Sequence, residues 1–151
     1  NIIGVINGFR VAVRGMLNNG SGQIYSMEGY GSDGRNGQLL TIYGMTKSAL
    51  HYVNKSLAKE LADTPVQIGA LYPGMVVTDL LTSPMAALPE EFEKAKKIFN
   101  IIADKVETVT PYLVEKILKN RKNGVRIAWL SPFRILLRFF AAPFRKRDLF
   151  S

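Results

Sequence analysis

The stretch Thr41-Ile42-Tyr43-Gly44-Met45-Thr46-Lys47 opens an amphipathic run that extends to Ala62. Asp63-Thr64-Pro65 ends this run, and the apolar residues from Val66 to Tyr72 then indicate a buried strand that stops at Pro73-Gly74. The run predicts a helix because its apolar residues recur every three or four positions. These residues are Met45, Ala49, Leu50, Val53, Leu57 and Leu61.

The segments on either side continue the alternation of helices and strands. Upstream, the pattern predicts a helix from Ile2 to Leu17, a strand from Gln23 to Met27 and a glycine-rich loop from Gly29 to Gly37. Downstream it predicts two helices, a strand and a last helix capped by Ser131-Pro132; their ranges are Glu90–Ala103, Thr110–Asn120, Val125–Leu130 and Phe133–Ala142. This order predicts an α/β fold with a doubly wound, parallel, Rossmann-like sheet. We expect the loops after Met27 and Tyr72 to face one ligand crevice.

Composition limits the classes of function. The 151 residues are 47% hydrophobic and 21% charged, which is typical of a globular domain. The chain has no cysteine and a single histidine, His51, so we expect no metal site. Between Lys122 and Ser151 lie seven cations and one acid, so six of the eight surplus positive charges fall in the last thirty residues. The sequence shows no nucleic-acid reader motif, and we expect no nucleic-acid partner.

Tyr43 and Lys47 are four residues apart, on one face of the predicted helix. A free tyrosine has a pKa near ~10, and a neighbouring cation lowers that pKa by stabilising the phenolate. Such a tyrosine protonates a carbonyl oxygen as hydride arrives, or deprotonates an alcohol in the reverse direction. Taken alone, the pair also fits an ordinary helix surface, so its context decides between the two interpretations.

The context is an ordered set: the Tyr-x-x-x-Lys helix, the following strand and the loop Pro73-Gly74-Met75-Val76-Val77-Thr78. This set resembles the C-terminal half of the short-chain dehydrogenase/reductase family over nearly the whole chain. The resemblance implies that Tyr43 is the general acid/base and that Lys47 lowers its pKa and holds the nicotinamide ribose. It further implies that Asn1 anchors a proton-relay water. The residues that it assigns to the cofactor are Tyr43, Lys47, Pro73, Gly74, Val76 and Thr78.

One position departs from the family pattern. The family places a catalytic serine where this chain has Gly29, thirteen to fourteen residues before the tyrosine. Ser32, on the loop that follows, is the residue we expect to supply a hydroxyl instead; Ser26 in the strand is the second candidate. A third alternative is that Tyr43 alone contacts the substrate oxygen.

Several segments narrow the resemblance to the chlorophyll b reductases of plants and algae. They include Met27-Glu28-Gly29-Tyr30-Gly31-Ser32, the Tyr43–Lys47 stretch and Leu130-Ser131-Pro132-Phe133. This similarity implies NADPH-dependent reduction of the formyl group of chlorophyll b, or of a similar bulky carbonyl. A family-derived binding or assembly subunit without turnover is the alternative function. We expect NADP(H) rather than NAD(H), and a homo-oligomer or a pair with a related subunit.

The chain lacks the glycine-rich cofactor turn and the residue that selects NAD or NADP, so we expect it to be the C-terminal part of one domain and inactive alone. Residues 133–151 form a basic amphipathic tail. We expect the helix from Phe133 to pack its apolar face inward with its arginines in solvent. An interfacial helix is the alternative. For Arg145-Lys146-Arg147 we expect peripheral membrane contact, and for the protein a cytoplasmic or a plastid, thylakoid-associated location.

Overall fold

The computed structural model describes residues 1–86 and 89–150. They form two compact units. The first comprises Asn1–Tyr72 and Lys116–Ile127, and the second comprises Pro73–Glu115 and Ala128–Ser151. Tyr43 and Lys47 lie in the first unit, whereas the loop that follows Tyr72 lies in the second. The prediction that the chain is part of a single domain stays a prediction.

The first unit contains helix α1 (Ile2–Asn18), strand β1 (Gly22–Met27), helix α2 (Thr41–Glu60) and strand β2 (Val66–Tyr72). Strand β5 (Val125–Ala128) completes a three-stranded sheet with the order β1-β2-β5. Strands β1 and β2 are parallel, with Gly22 opposite Val66 and Met27 opposite Leu71. The predicted α/β class is therefore confirmed, and the carboxyl ends of β1 and β2 reach the same edge of the sheet.

The core of the first unit is formed by the faces that the two helices turn towards the sheet. Phe9 of α1 packs with Val66 and Ile68 of β2, and all three side chains are buried. Leu50 of α2 is also buried. Burying one such side chain contributes about 1.5–3 kcal/mol to folding. The burial of Phe9 therefore stabilises the packing of α1, and that of Leu50 the packing of α2. Of the apolar residues whose spacing predicted α2, Leu50 is buried and Val53 and Leu57 pack against this core, whereas Met45 is exposed.

The second unit contains five helical segments and two short strands among its described residues. Their ranges are β3 (Val76–Val77), α3 (Asp79–Ala86), α4 (Pro89–Ile102), β4 (Asp104–Lys105), α5 (Val106–Lys119, whose last turn belongs to the first unit), α6 (Pro132–Ala141) and a 3-10 helix (Ala142–Phe144). Strands β3 and β4 pair in parallel. Helix α3 and these two strands were not predicted, and α5 begins four residues earlier than expected. The predicted cap of α6 is confirmed, since Ser131 Oγ accepts the Arg134 N–H at 3.2 Å.

The expected orientation of α6 is wrong. Arg134 stacks on Trp129 at 4.2 Å, and Arg138 forms an ion pair with buried Asp104 at 2.7 Å, so the arginines face the protein. Apolar residues elsewhere around the helix are exposed instead, among them Phe133, Leu136, Leu137 and Phe140. Asp104 determines this arrangement, because a buried carboxylate requires charged partners. In the part of the chain that the structure describes, no helix is both long and apolar enough to cross a bilayer.

Candidate active site

Tyr43 and Lys47 lie in the first two turns of α2, beside the end of β1. Lys47 is buried, and its ammonium donates a hydrogen bond to the carbonyl oxygen of Met27 at 3.0 Å. The same Nζ lies 5.7 Å from the centre of the Tyr43 ring. The strand end therefore holds the lysine against the face of the tyrosine, as the four-residue spacing on α2 predicts.

Gly29 lies directly against this pair, at the position where the family pattern places a serine. A Cβ atom at residue 29 would overlap the Tyr43 hydroxyl and would come within 3.2 Å of Lys47 Cε. The tyrosine hydroxyl occupies the space that a side chain would need. Only glycine at position 29 is compatible with this placement of Tyr43, and the departure from the family pattern thus has a steric explanation.

The expected lowering of the Tyr43 pKa by Lys47 is not found. Burial raises the pKa of the Tyr43 phenol, and Tyr72 raises it further. Burial also lowers the pKa of Lys47, although the charge of Glu28 opposes that effect. The physical reason is that burial disfavours both charged forms, while the lysine ammonium donates its hydrogen bond to the backbone carbonyl of Met27.

A buried ionic cluster supports the strand end that carries this pair. The Glu28 side chain is fully buried; it bonds to His51 Nδ1 at 2.7 Å and accepts from Arg126 Nε at 2.6 Å. Arg126 also stacks over the Tyr72 ring at 4.2 Å. Through His51 and Arg126, Glu28 therefore connects the end of β1 to α2 and to β5. Sequence reasoning missed this cluster; the available signal was an isolated acid at one strand end and an arginine inside another predicted strand.

The two candidate serines both have structural partners. Ser32 is buried, and its hydroxyl accepts a hydrogen bond from Arg126 Nη2 at 3.2 Å. Ser26 is buried as well, and its hydroxyl accepts from Asn54 Nδ2 at 2.6 Å. The loop that follows β1 thus buries Ser32. The role of Ser32 towards a substrate stays a prediction.

Asn1 is linked to the first turns of α2. Its Nδ2 donates to Thr46 Oγ1 at 3.2 Å, and Thr46 Oγ1 donates to the carbonyl oxygen of Tyr43 at 2.8 Å. Asn1 is exposed, so its amide is accessible to water. This chain of hydrogen bonds places the asparagine near the backbone of Tyr43. Its assignment to a proton-relay water stays a prediction.

The loop from Pro73 to Thr78 belongs to the second unit. Gly74 has a φ of +74°, and a Cβ there would lie 2.5 Å from Leu130 Cβ, so the turn requires glycine. Thr78 immediately precedes α3, and its carbonyl accepts from the N–H groups of Leu81 and Thr82 at 2.8 and 3.0 Å. The Thr78 side chain is exposed, immediately before the first turn of α3, which also carries Asp79. That Pro73, Gly74, Val76 and Thr78 hold a nucleotide cofactor stays a prediction.

No group of three potential metal ligands is found among residues 1–86 and 89–150. His51 is engaged by Glu28. Tyr43 and Lys47 bring a phenol and an ammonium close together, and a phenol is a group that can transfer a proton.

Comparison with known proteins matches this chain to a family. The family model described as short chain dehydrogenase matches residues 1–88 of this chain. A chloroplastic protein of Arabidopsis thaliana named probable chlorophyll(ide) b reductase NYC1 is 36% identical over 147 residues, which cover 97% of this chain and 28% of the relative. The chlorophyll(ide) b reductase NOL of the same plant, also chloroplastic, is 36% identical over 121 residues, which cover 78% of this chain and 33% of that protein. The chain thus spans about a third or less of the length of these relatives.

Solved structures share the fold. A short-chain type dehydrogenase/reductase from Mycobacterium ulcerans superimposes with a TM-score of 0.69 at 21% identity, covering 90% of this chain and 50% of that one. A protein from Beutenbergia cavernae, solved with NADP bound at low occupancy, gives a TM-score of 0.61 at 25% identity and covers 80% of this chain and 49% of its own. The matched part is about half of each of these chains.

Proposed function

Because the chain belongs to the short-chain dehydrogenase family, we propose that the complete protein is an NAD(P)H-dependent oxidoreductase that reduces a carbonyl to an alcohol. The observation that carries this proposal is the contact between Tyr43, Lys47 and the side-chain-free Gly29. That arrangement leaves the tyrosine hydroxyl beside a backbone that offers no competing side chain. Such a hydroxyl can donate its proton to the carbonyl oxygen of a substrate.

In the proposed mechanism Tyr43 donates its phenolic proton to the substrate oxygen as that oxygen gains negative charge. Lys47, fixed by the Met27 carbonyl, keeps its ammonium 5.7 Å from the centre of the ring that becomes a phenolate. Asn1 orients a water that returns a proton to the site. A bound nicotinamide cofactor supplies the hydride, and Lys47, Pro73, Gly74, Val76 and Thr78 are the residues that would hold it. Proton donation of this kind contributes about 10²–10⁴-fold to turnover.

We further propose that the substrate is the formyl group of chlorophyll b or a similarly bulky carbonyl, and that the cofactor is NADP(H). The similarity to NYC1 and NOL supports the substrate, and the NADP-bound neighbour supports the cofactor. The chloroplastic relatives also support a plastid location, with a cytoplasmic one as the alternative. Contact with a membrane surface is proposed because a substrate of this kind is a lipid-soluble pigment.

The experiment is NADPH oxidation by the complete protein with chlorophyll b and with simple aldehydes, comparing Tyr43→Phe with Tyr52→Phe. Tyr52 lies on the same helix and is 74% exposed, so its variant controls for the loss of a hydroxyl. We expect Tyr43→Phe to lose at least ~100-fold in kcat and Tyr52→Phe to retain activity. Equal turnover by the two variants contradicts the proposal.

A second candidate function is a binding or assembly subunit without turnover. The observation that favours it is Gly29, which removes the hydroxyl that the family pattern supplies. Under this hypothesis the unmodified protein oxidises no NADPH with any carbonyl yet still binds a related subunit. Measuring both properties on one preparation separates the two functions.

We also propose that the protein forms a homo-oligomer, or a pair with a related subunit, through the outer faces of α1 and α2. These faces border an apolar groove of ≈ 570 Å³ within the first unit. Ile6 of α1 and Tyr52 of α2 line this groove, and both are exposed. The mass of the complete protein in solution tests this proposal, and an unchanged mass after Tyr52→Glu counts against it.

A further inference from the structure

A second cavity, of ≈ 600 Å³, lies in the second unit between α4, β4, the start of α5 and the end of α6. Its lining is strongly cationic. The charged residues around it are Lys97, Asp104, Arg138, Arg145, Lys146 and Arg147. With five cations and one carboxylate, this cavity is complementary to an anion. All of its lining residues belong to the second unit, whereas Tyr43 and Lys47 belong to the first.

Asp104 neutralises only the inner part of this cluster. Its two carboxylate oxygens bind Arg138 at 2.7 Å and Arg147 at 2.8 Å, and Oδ2 also accepts from Trp129 Nε1 at 2.7 Å. Arg138 and Arg147 use further N–H groups on backbone carbonyls at the end of α4 and the start of β4. These two arginines are structural, because they satisfy a buried carboxylate and buried carbonyls.

The remaining three cations have no ion-pair partner among the residues that the structure describes. They are Lys97, Arg145 and Lys146, and all three are exposed at the mouth of the cavity. The sequence suggested that Arg147 belongs to a free basic tail, but Arg147 is paired with Asp104. The third exposed cation at the cavity is instead Lys97 of α4. The hydroxyl of Thr108, in the first turn of α5, adds a neutral hydrogen-bond donor to the lining.

The exposed apolar face of α6 adjoins this cationic cavity on the same helix. Phe133, Leu137 and Phe140 are more than half exposed, and Phe144 in the following 3-10 helix is 92% exposed. Their spacing places Phe133, Leu137 and Phe140 on one side of α6, about a third of a turn around the helix from Arg134 and Arg138. An apolar stripe beside unpaired cations is the arrangement by which a helix lies in a membrane interface.

We propose that this surface binds an anionic lipid bilayer: the cavity receives a phosphate or sulfonate headgroup, and the apolar face of α6 enters the acyl region. A bilayer presents anions and hydrocarbon within a few ångströms of each other, which matches both features at once. A second protein subunit would have to supply a carboxylate cluster beside an apolar groove. The inference rests on the membrane contact proposed above and does not depend on the carbonyl reduction.

The test is sedimentation of the complete protein with vesicles of phosphatidylglycerol and phosphatidylcholine, beside vesicles of phosphatidylcholine alone. The triple variant Lys97→Gln, Arg145→Gln, Lys146→Gln should bind the anionic vesicles on the order of 100-fold more weakly, since each cation near such a surface contributes a factor of ~5. The matched control neutralises three exposed cations of the first unit, Lys55, Lys59 and Lys122, and should bind like the unmodified protein.

The apolar face is tested separately with Phe140→Ser, which should weaken vesicle binding at least ~10-fold because a buried aromatic side chain is lost from the acyl region. Leu118→Ser is its control, since Leu118 is 68% exposed and Phe140 71%. NADPH oxidation by each variant with a water-soluble aldehyde reports carbonyl reduction independently of binding.

Three results would overturn the inference. If the triple variant still binds anionic vesicles as the unmodified protein does, the cavity does not take part in membrane binding. Competition by inorganic phosphate together with unchanged binding by Phe140→Ser would make the cavity a site for a soluble anion. Loss of an oligomer in Phe140→Ser without vesicles, with no change in vesicle binding, would assign the face to a second subunit.

Discussion

Replacing Glu28 by Gln removes the one carboxylate that balances Arg126 inside the first unit. The Glu28 side chain is 0% exposed and that of Arg126 is 33% exposed. Breaking a buried ion pair by removing one partner costs about 3–5 kcal/mol. Because solvent reaches part of the guanidinium, we expect the low end of that range, a loss of about 3 kcal/mol in the free energy of unfolding.

A matched control is available in the same loop. Asp33→Asn makes the same chemical change, but the ion pair between Asp33 and Arg35 is exposed, with 51% of the arginine side chain accessible. Exposed pairs contribute about 0–1 kcal/mol. Urea unfolding of the complete protein, followed by circular dichroism, measures both variants. If Glu28→Gln lowers the free energy of unfolding no more than Asp33→Asn does, the Glu28 cluster does not stabilise the fold.

The double variant Glu28→Gln, Arg126→Met separates the ion pair from general damage to packing. Removing both charges leaves no uncompensated ion, so the double variant should lose about 2 kcal/mol less than the two single variants together. His51 remains in all three proteins and does not alter the comparison. Additive losses would show that Glu28 and Arg126 act separately.

Three further predictions concern the residues around Tyr43. Gly29→Ala should lower kcat at least ~10-fold with a water-soluble aldehyde, because the new Cβ must displace the tyrosine hydroxyl and overpacking costs about 1–3 kcal/mol; unchanged turnover would contradict the steric explanation. In the protein without cofactor, ultraviolet titration compared with Tyr43→Phe should show a phenol with a pKa above 10.0. The contribution of the Tyr43 phenol to the free energy of unfolding should be present below pH 10.0 and lost as the pH rises through the raised pKa. Ionisation of this phenol below pH 10 would refute the prediction. Ser26→Ala should cost about 1–3 kcal/mol in urea unfolding because it leaves the buried Asn54 amide without its partner; Ser21→Ala, at an exposed position, should cost nothing measurable, and equal losses would count against the prediction.

The elements of the first unit could be predicted because their signals are local. Helix α2 follows from apolar residues at helical spacing, and β2 follows from a short apolar run between Pro65 and Pro73. The pairing of Tyr43 with Lys47 follows from the same spacing. In contrast, β3 and β4 contain two residues each, too few for any periodicity, and α3 is only eight residues long. Such short elements exist because of neighbours that are distant in the sequence.

The Glu28 cluster could not be predicted for a related reason. Glu28 and Arg126 are separated by 98 positions, and no local pattern pairs one acid with one of twenty cations. The pKa of Tyr43 was also misjudged, because spacing shows that a lysine is near but not where its ammonium points. The structure directs it to the Met27 carbonyl. Burial then determines the sign of the shift for both side chains.

Helix α6 shows what a hydrophobic pattern leaves undecided. The pattern defines two faces, and the usual preference for apolar burial predicts that the phenylalanines point inward. Asp104 reverses this preference, because an unpaired buried carboxylate costs more than the exposure of a few apolar side chains. Arg138 pairs with it from α6 and Arg147 pairs with it from the following segment, which turns the apolar face outward. Since Asp104 lies in a strand of two residues, the residue that orients α6 carries no signal of its own in the sequence. The outward apolar face is therefore a consequence of electrostatics, and it is this face that a lipid surface would cover.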